Sequence, residues 1–119
     1  AVDGSVTFHG MKYSLEKQSD GKTAVVRTSD SGTKSVLFEV EGTPTSLILF
    51  NDTILVPENR DSGWDVVACA LVDGSLPTLI ADKDGKAVGG NGTITAATLD
   101  GTTLKVTDST GNTTSVALQ

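Results

Sequence analysis

At 119 residues and 12.2 kDa the chain has the size of one domain, long enough to bury a core without disulfide or metal staples. A formal charge of -6 and a pI near 4.5 argue against nucleic acid and against an anionic membrane surface as partners, since both demand a basic face. The single cysteine, Cys69, excludes an intrachain disulfide, and no run reaches the length of a transmembrane helix or reads as a signal peptide. Ala1 in place of Met fits either a trimmed initiator Met or a cleaved leader.

Apolar residues make up only 37% of the chain, and its aromatics are Phe8, Tyr13, Phe38, Phe50 and Trp64, so Val, Ile, Leu and Ala must do most of the packing. Abundant Ser and Thr with 13 glycines favour strands joined by tight turns. In chain order, short alternating runs predict strands at 6–8, 11–15, 23–28 and 35–40, then at 47–50, 53–56, 65–71 and 78–81, and finally at 93–98, 102–107 and 113–118. Between them stand turn dipeptides: His9-Gly10, Asp20-Gly21, Ser31-Gly32, Asn51-Asp52, Ser62-Gly63, Asp73-Gly74, Asp84-Gly85, Asp100-Gly101 and Thr110-Gly111. Pro44, Pro57 and Pro77 are placed at strand ends, where a missing N–H is tolerated. No segment holds a helical period. The pattern predicts a single all-β domain over 1–119, a compact antiparallel sandwich or small barrel of about ten short strands.

A shift of 42 residues aligns Phe8 with Phe50, Glu16 with Glu58, Gly21 with Gly63, Val25 with Val67, Gly32 with Gly74 and Leu37 with Leu79. It suggests units 1–42, 43–84 and 85–119, the last lacking its final strand, and makes a β-trefoil-like pseudo-repeat the alternative architecture. A propeller would need ~4–8 such units.

The chain carries no catalytic set, and the expectation is that it is not an enzyme. His9, the sole histidine, stands in a turn with no nucleophile motif beside it. Cys69 lies in the apolar run 66–71, which suits a buried, inert thiol. One His and one Cys cannot fill a zinc shell without carboxylates, and Asp82-Lys83-Asp84-Gly85 begins like a calcium loop without the ligands that complete one. No cofactor is expected. Glu16, Glu39, Glu41 and Glu58 are the glutamates from which a glycosidase pair would be drawn, but they read better as charges that protect strand faces and edges. Three asparagines, Asn51, Asn91 and Asn112, stand in glycosylation sequons. The segment 88–92, Val-Gly-Gly-Asn-Gly, reads as a flexible joint before the last strands.

The candidate contact residues are Trp64, a sugar-stacking platform, interface anchor or core cap, and Thr113, Thr114, Val116 and Leu118 of the nearly uncharged last strand. An uncharged edge must be covered, either by the chain's own first strand or by a neighbour. The resulting expectation is a structural subunit of an extracellular or virion assembly, of the capsid-decoration, coat or filament type, whose partners are copies of itself or other lattice proteins. The alternative is a carbohydrate-binding module that takes a glycan.

Overall fold

The computed structural model describes residues 5–61, 63–71, 76–81, 84–85 and 88–118. Every described strand pairing is antiparallel, no helix occurs among the described residues, and strands hold well over a third of them. The first sheet is a meander, β1 (Ser5–Phe8), β2 (Met11–Lys17), β3 (Thr23–Thr28) and β4 (Lys34–Val40), paired in that order. The middle sheet is built on a long hairpin, β7 (Thr53–Arg60) and β8 (Gly63–Ala70). Short strands flank it: β5 (Thr43–Pro44) and β6 (Ile48–Phe50) along β7, β9 (Thr78–Leu79) and β10 (Gly89–Gly90) along β8. The third sheet is β11 (Ile94–Asp100), β12 (Thr103–Asp108) and β13 (Thr113–Ala117), in that order.

The sheets stack face to face, and the middle one is buried on both sides. Tyr13, Val25, Phe38 and Val40 of the first sheet meet Ile54, Val56, Val67 and Cys69 of the middle sheet. Leu55, Trp64 and Val66 on the opposite face of that hairpin meet Ile94, Leu104, Val106 and Val116 of the third sheet. Neighbouring residues of one strand thus serve different cores, because side chains alternate along it. Of the architectures weighed above, the layered sandwich is the one found. The sheets do not close into a barrel, and β1 lies two layers away from β13.

Turn chemistry fixes the hairpins. Residues 18–22, 29–33 and 108–112 form the same loop: the first N–H donates to the fifth carbonyl at 2.7, 2.9 and 3.0 Å, and the glycine N–H donates back to the first carbonyl at 3.0, 2.9 and 3.1 Å. The glycines, Gly21, Gly32 and Gly111, hold φ of 88°, 87° and 88°, a left-handed conformation that a side chain disfavours.

Two sequence expectations change. Pro57 does not end a strand, because β7 runs through it to Arg60. Its carbonyl accepts from the Thr45 N–H at 2.9 Å, so the position that lacks an N–H faces the gap between β5 and β6, and that edge is split into two short strands. The turn after β7 falls one residue earlier than Ser62-Gly63, since Gly63 is already in β8 and pairs with Arg60. The spacing of 42 residues also relates the strands of the first two units. Adding 42 to the bounds of β1, β2, β3 and β4 gives 47–50, 53–59, 65–70 and 76–82, which overlap β6, β7, β8 and β9. Adding 84 to β1 gives 89–92, where β10 pairs with β8 of the middle sheet instead of with β11.

Candidate functional site

The free edge of β13 is set by the register of its hairpin with β12. Leu118 N–H donates to the Thr102 carbonyl at 2.9 Å, and Asp108 N–H to the Asn112 carbonyl at 3.0 Å. Main-chain groups alternate in direction along an antiparallel pair, so Asn112, Thr114, Val116 and Leu118 face β12. Thr113, Ser115 and Ala117 therefore turn their N–H and C=O groups outward, where no described strand pairs with them. The side chains divide in the same rhythm. Val116 is buried and Leu118 packs against the second core, while Thr113 and Ser115 are exposed on the outer face beside Lys105. Thr113 and Thr107 hydroxyls meet at 3.2 Å across the hairpin.

Sheet edges elsewhere carry features that deter pairing. Strand β4 bears Lys34 and Glu39 and faces a bulge in its pairing with β3. Strand β11 bears Asp100 and a bulge at Ile94/Ala96, and its first N–H is taken by Asn59 Oδ1 at 2.7 Å. Strands β5, β6, β9 and β10 are two or three residues long, and β1 is four, with Asp3 just ahead of it in sequence. Strand β13 has five residues and no charge, proline or bulge.

Trp64 does not join that edge. It is only 3% exposed, held in the second core on β8, so it offers no face to a sugar ring or to a partner. The glycines after it explain its seat. Gly90 pairs with Trp64, and a Cβ on Gly90 would come 2.7 Å from the indole Nε1. A Cβ on Gly63 would meet the Gly90 carbonyl, and one on Gly92 the Ser109 hydroxyl at 2.6 Å. Segment 88–92 is therefore a close-packed joint between middle and third sheets, not a flexible linker; its glycines permit backbone contact. The indole N–H has no hydrogen-bond partner in strict geometry, but with Thr110 and Asn112, it favours the charged form of Asp108. The Thr110 hydroxyl and N–H are the main cause that holds the Asp108 carboxyl below its ordinary value.

The middle hairpin also holds a pair of acids, one buried and one half-buried. Glu58, fully buried, lies opposite Asp65 in the ladder. Glu58 Oε1 accepts from Arg60 Nη1 at 2.9 Å and Oε2 from the Gly42 N–H at 3.3 Å. Asp65 Oδ1 is buried without a partner. Burial, then the neighbouring Glu58, pushes the Asp65 carboxyl up to about 6. Arg60 reaches from this pair into an open cleft of about 980 Å³ between the first and middle sheets, where Lys17, Lys22, Glu41 and Asp61 mix both signs of charge.

The remaining sequence candidates scatter. Glu16 pairs with Lys34 at 3.1 Å, the neighbouring Asp20 raises the Glu39 carboxyl, and Glu41 lines the cleft. His9 is exposed in a turn, edge-on to Phe8 at 4.1 Å. Cys69 is buried, and burial pushes its thiol up, away from reactivity. Asn51, Asn91 and Asn112 are exposed. Asp82 and Lys83 of the calcium-like stretch lie outside the described residues, as do Asp73-Gly74 and Ser62 of the turns. Among the described residues no three metal-ligating side chains converge, and no helix is long and apolar enough to cross a membrane. Sequence reasoning missed Asp65 and Arg60. Centring the hairpin turn on 61–62 would have put Glu58 opposite Asp65, whereas Ser62-Gly63 as the turn puts it opposite Val67. No family model, curated protein or solved structure matches the chain.

Proposed function

We propose that the chain is a structural subunit of an extracellular or virion assembly, of the decoration, coat or filament kind, and that it acts through protein–protein contact. The observation that carries this reading is the bare edge of β13, the longest edge among the described strands without charge, proline or bulge, with the main-chain groups of Thr113, Ser115 and Ala117 turned outward. Such an edge accepts another strand through main-chain hydrogen bonds. The glycan reading has no comparable support, since the one tryptophan is in the core.

Fractionating the natural source tests the proposal. The chain should sediment with particles or filaments far larger than itself, and Ser115→Lys, which places a charge on the edge, should remain in the unassembled fraction. A wild-type chain found only unassembled would overturn the reading.

A further inference from the structure

Resting on the contact role just proposed for β13, we infer that its partner is β13 of a second copy, joined about a two-fold axis through Ser115. The main-chain pattern favours that register, because it alone pairs all three outward residues. The groups free to pair belong to Thr113, Ser115 and Ala117, so these residues must face one another across the new contact. An antiparallel pairing centred on Ser115 sets Ser115 opposite Ser115 and Thr113 opposite Ala117 in both directions. Each facing pair then exchanges both of its N–H···O=C bonds. Between them, Thr114 falls opposite Val116 on the core side, a closely spaced pair of two β-branched residues.

Self-complementarity favours a second copy over an unrelated strand. The segment 113–118 reads alike in both directions in the sense that matters: uncharged throughout, small or β-branched at every facing position. Two chains of charge -6 repel, and β13 is an edge at which they meet without placing like charges opposite each other. An isologous contact also closes on itself and covers the β13 edge of both copies. The two three-stranded sheets become one continuous sheet, β11-β12-β13-β13-β12-β11, while the outer faces of both copies stay solvated.

The test is sedimentation equilibrium of the purified chain across the micromolar to millimolar range, paired with cysteine cross-linking. The wild type should weigh twice 12.2 kDa. Ser115→Pro removes an N–H that faces the edge and not β12, so it should sediment as a monomer with an unchanged far-UV circular dichroism spectrum. If proline disturbs the strand, Ser115→Lys gives the same readout with the N–H retained. With oxidised glutathione, Ser115→Cys should form a disulfide-linked dimer, because directly facing Cα atoms lie about 5.5 Å apart. Thr113→Cys should not, because its own counterpart is displaced by four residues, about 13 Å along the strand. Cys69, being buried, serves as the silent background. A monomeric wild type, or equal cross-linking at 113 and 115, overturns the two-fold pairing. If the wild type is monomeric but Ser115→Lys is still lost from natural particles, the partner is another protein and the contact role stands. If Ser115→Lys remains in the particles, the contact role fails as well.

Discussion

The β7–β8 hairpin and the β12–β13 hairpin have similar pairing and opposite surroundings. Along β7, Ile54 and Val56 enter one core while Leu55 enters the other, and Val66 and Val67 on β8 divide in the same way. Along β12 only Leu104 and Val106 are apolar and buried, and Lys105 between them is exposed. The contrast teaches that an unbroken apolar run can be a strand covered twice, and a strict alternation a strand covered once. It also accounts for the shape of the stack. The outer faces carry Lys12, Ser14 and Glu16 on one side and Thr98, Lys105 and Ser115 on the other, so stacking ends after three layers.

That contrast can be broken by mutation, most severely in the middle. Ile54→Ala empties a fully buried position of the middle sheet and should cost about 2–5 kcal/mol in urea denaturation. A loss below about 1 kcal/mol would mean that the middle sheet is not the doubly covered layer. Gly90→Ala forces a methyl group toward the Trp64 ring and should cost about 1–3 kcal/mol, measured the same way. Gly21→Ala, at a positive φ but with open space around it, should cost less, about 1 kcal/mol.

Acidity separates the two hairpins in sign. The folded state raises the Asp65 carboxyl to about 6 from 3.8, so it keeps a proton that the unfolded chain releases. Its contribution to stability is complete below the unfolded value and is lost as pH rises to about 6. Asp65→Asn should raise the melting temperature at pH 7 and change it little at pH 4. Asp108 on the third sheet is lowered by Thr110, so its contribution is present above the unfolded value of 3.8 and lost as pH falls through the folded one. Asp108→Asn should therefore lower the melting temperature at pH 7, the reverse of Asp65→Asn. Equal signs for the two variants would remove the distinction. The smallest effect belongs to the outer face. Lys105→Ala breaks only a 3.6 Å pair with Asp100 between two exposed side chains and should shift stability by less than about 0.5 kcal/mol.

Much of this fold was legible locally. Alternation located the strands of the end sheets, and His9-Gly10, with φ of 51° and 78°, turns where a type I′ hairpin requires it. What could not be read depends on distant partners. The glycines at 89, 90 and 92 look flexible in composition, and only the approach of Trp64 and Ser109 shows that they are close-packed. Pro57 looks like a strand end until the break between β5 and β6 supplies a place for its missing N–H. Among the site residues, the uncharged run 113–118 pointed to an open edge, but the register with β12 was needed to show that Ser115 and Ala117 turn outward beside Thr113 while Thr114, Val116 and Leu118 face β12; the burial of Trp64 required knowing which sheet would cover it. The Glu58–Asp65 pairing turned on a one-residue displacement of a turn.

The two cores also divide the molecule's natural chromophores. The only tyrosine, Tyr13, lies between the first and middle sheets, and the only tryptophan, Trp64, between the middle and third. Tryptophan emission therefore reports the docking of the third sheet, and the near-ultraviolet signal of tyrosine that of the first. Without any label, the order in which the layers part during unfolding is written in two separate optical channels.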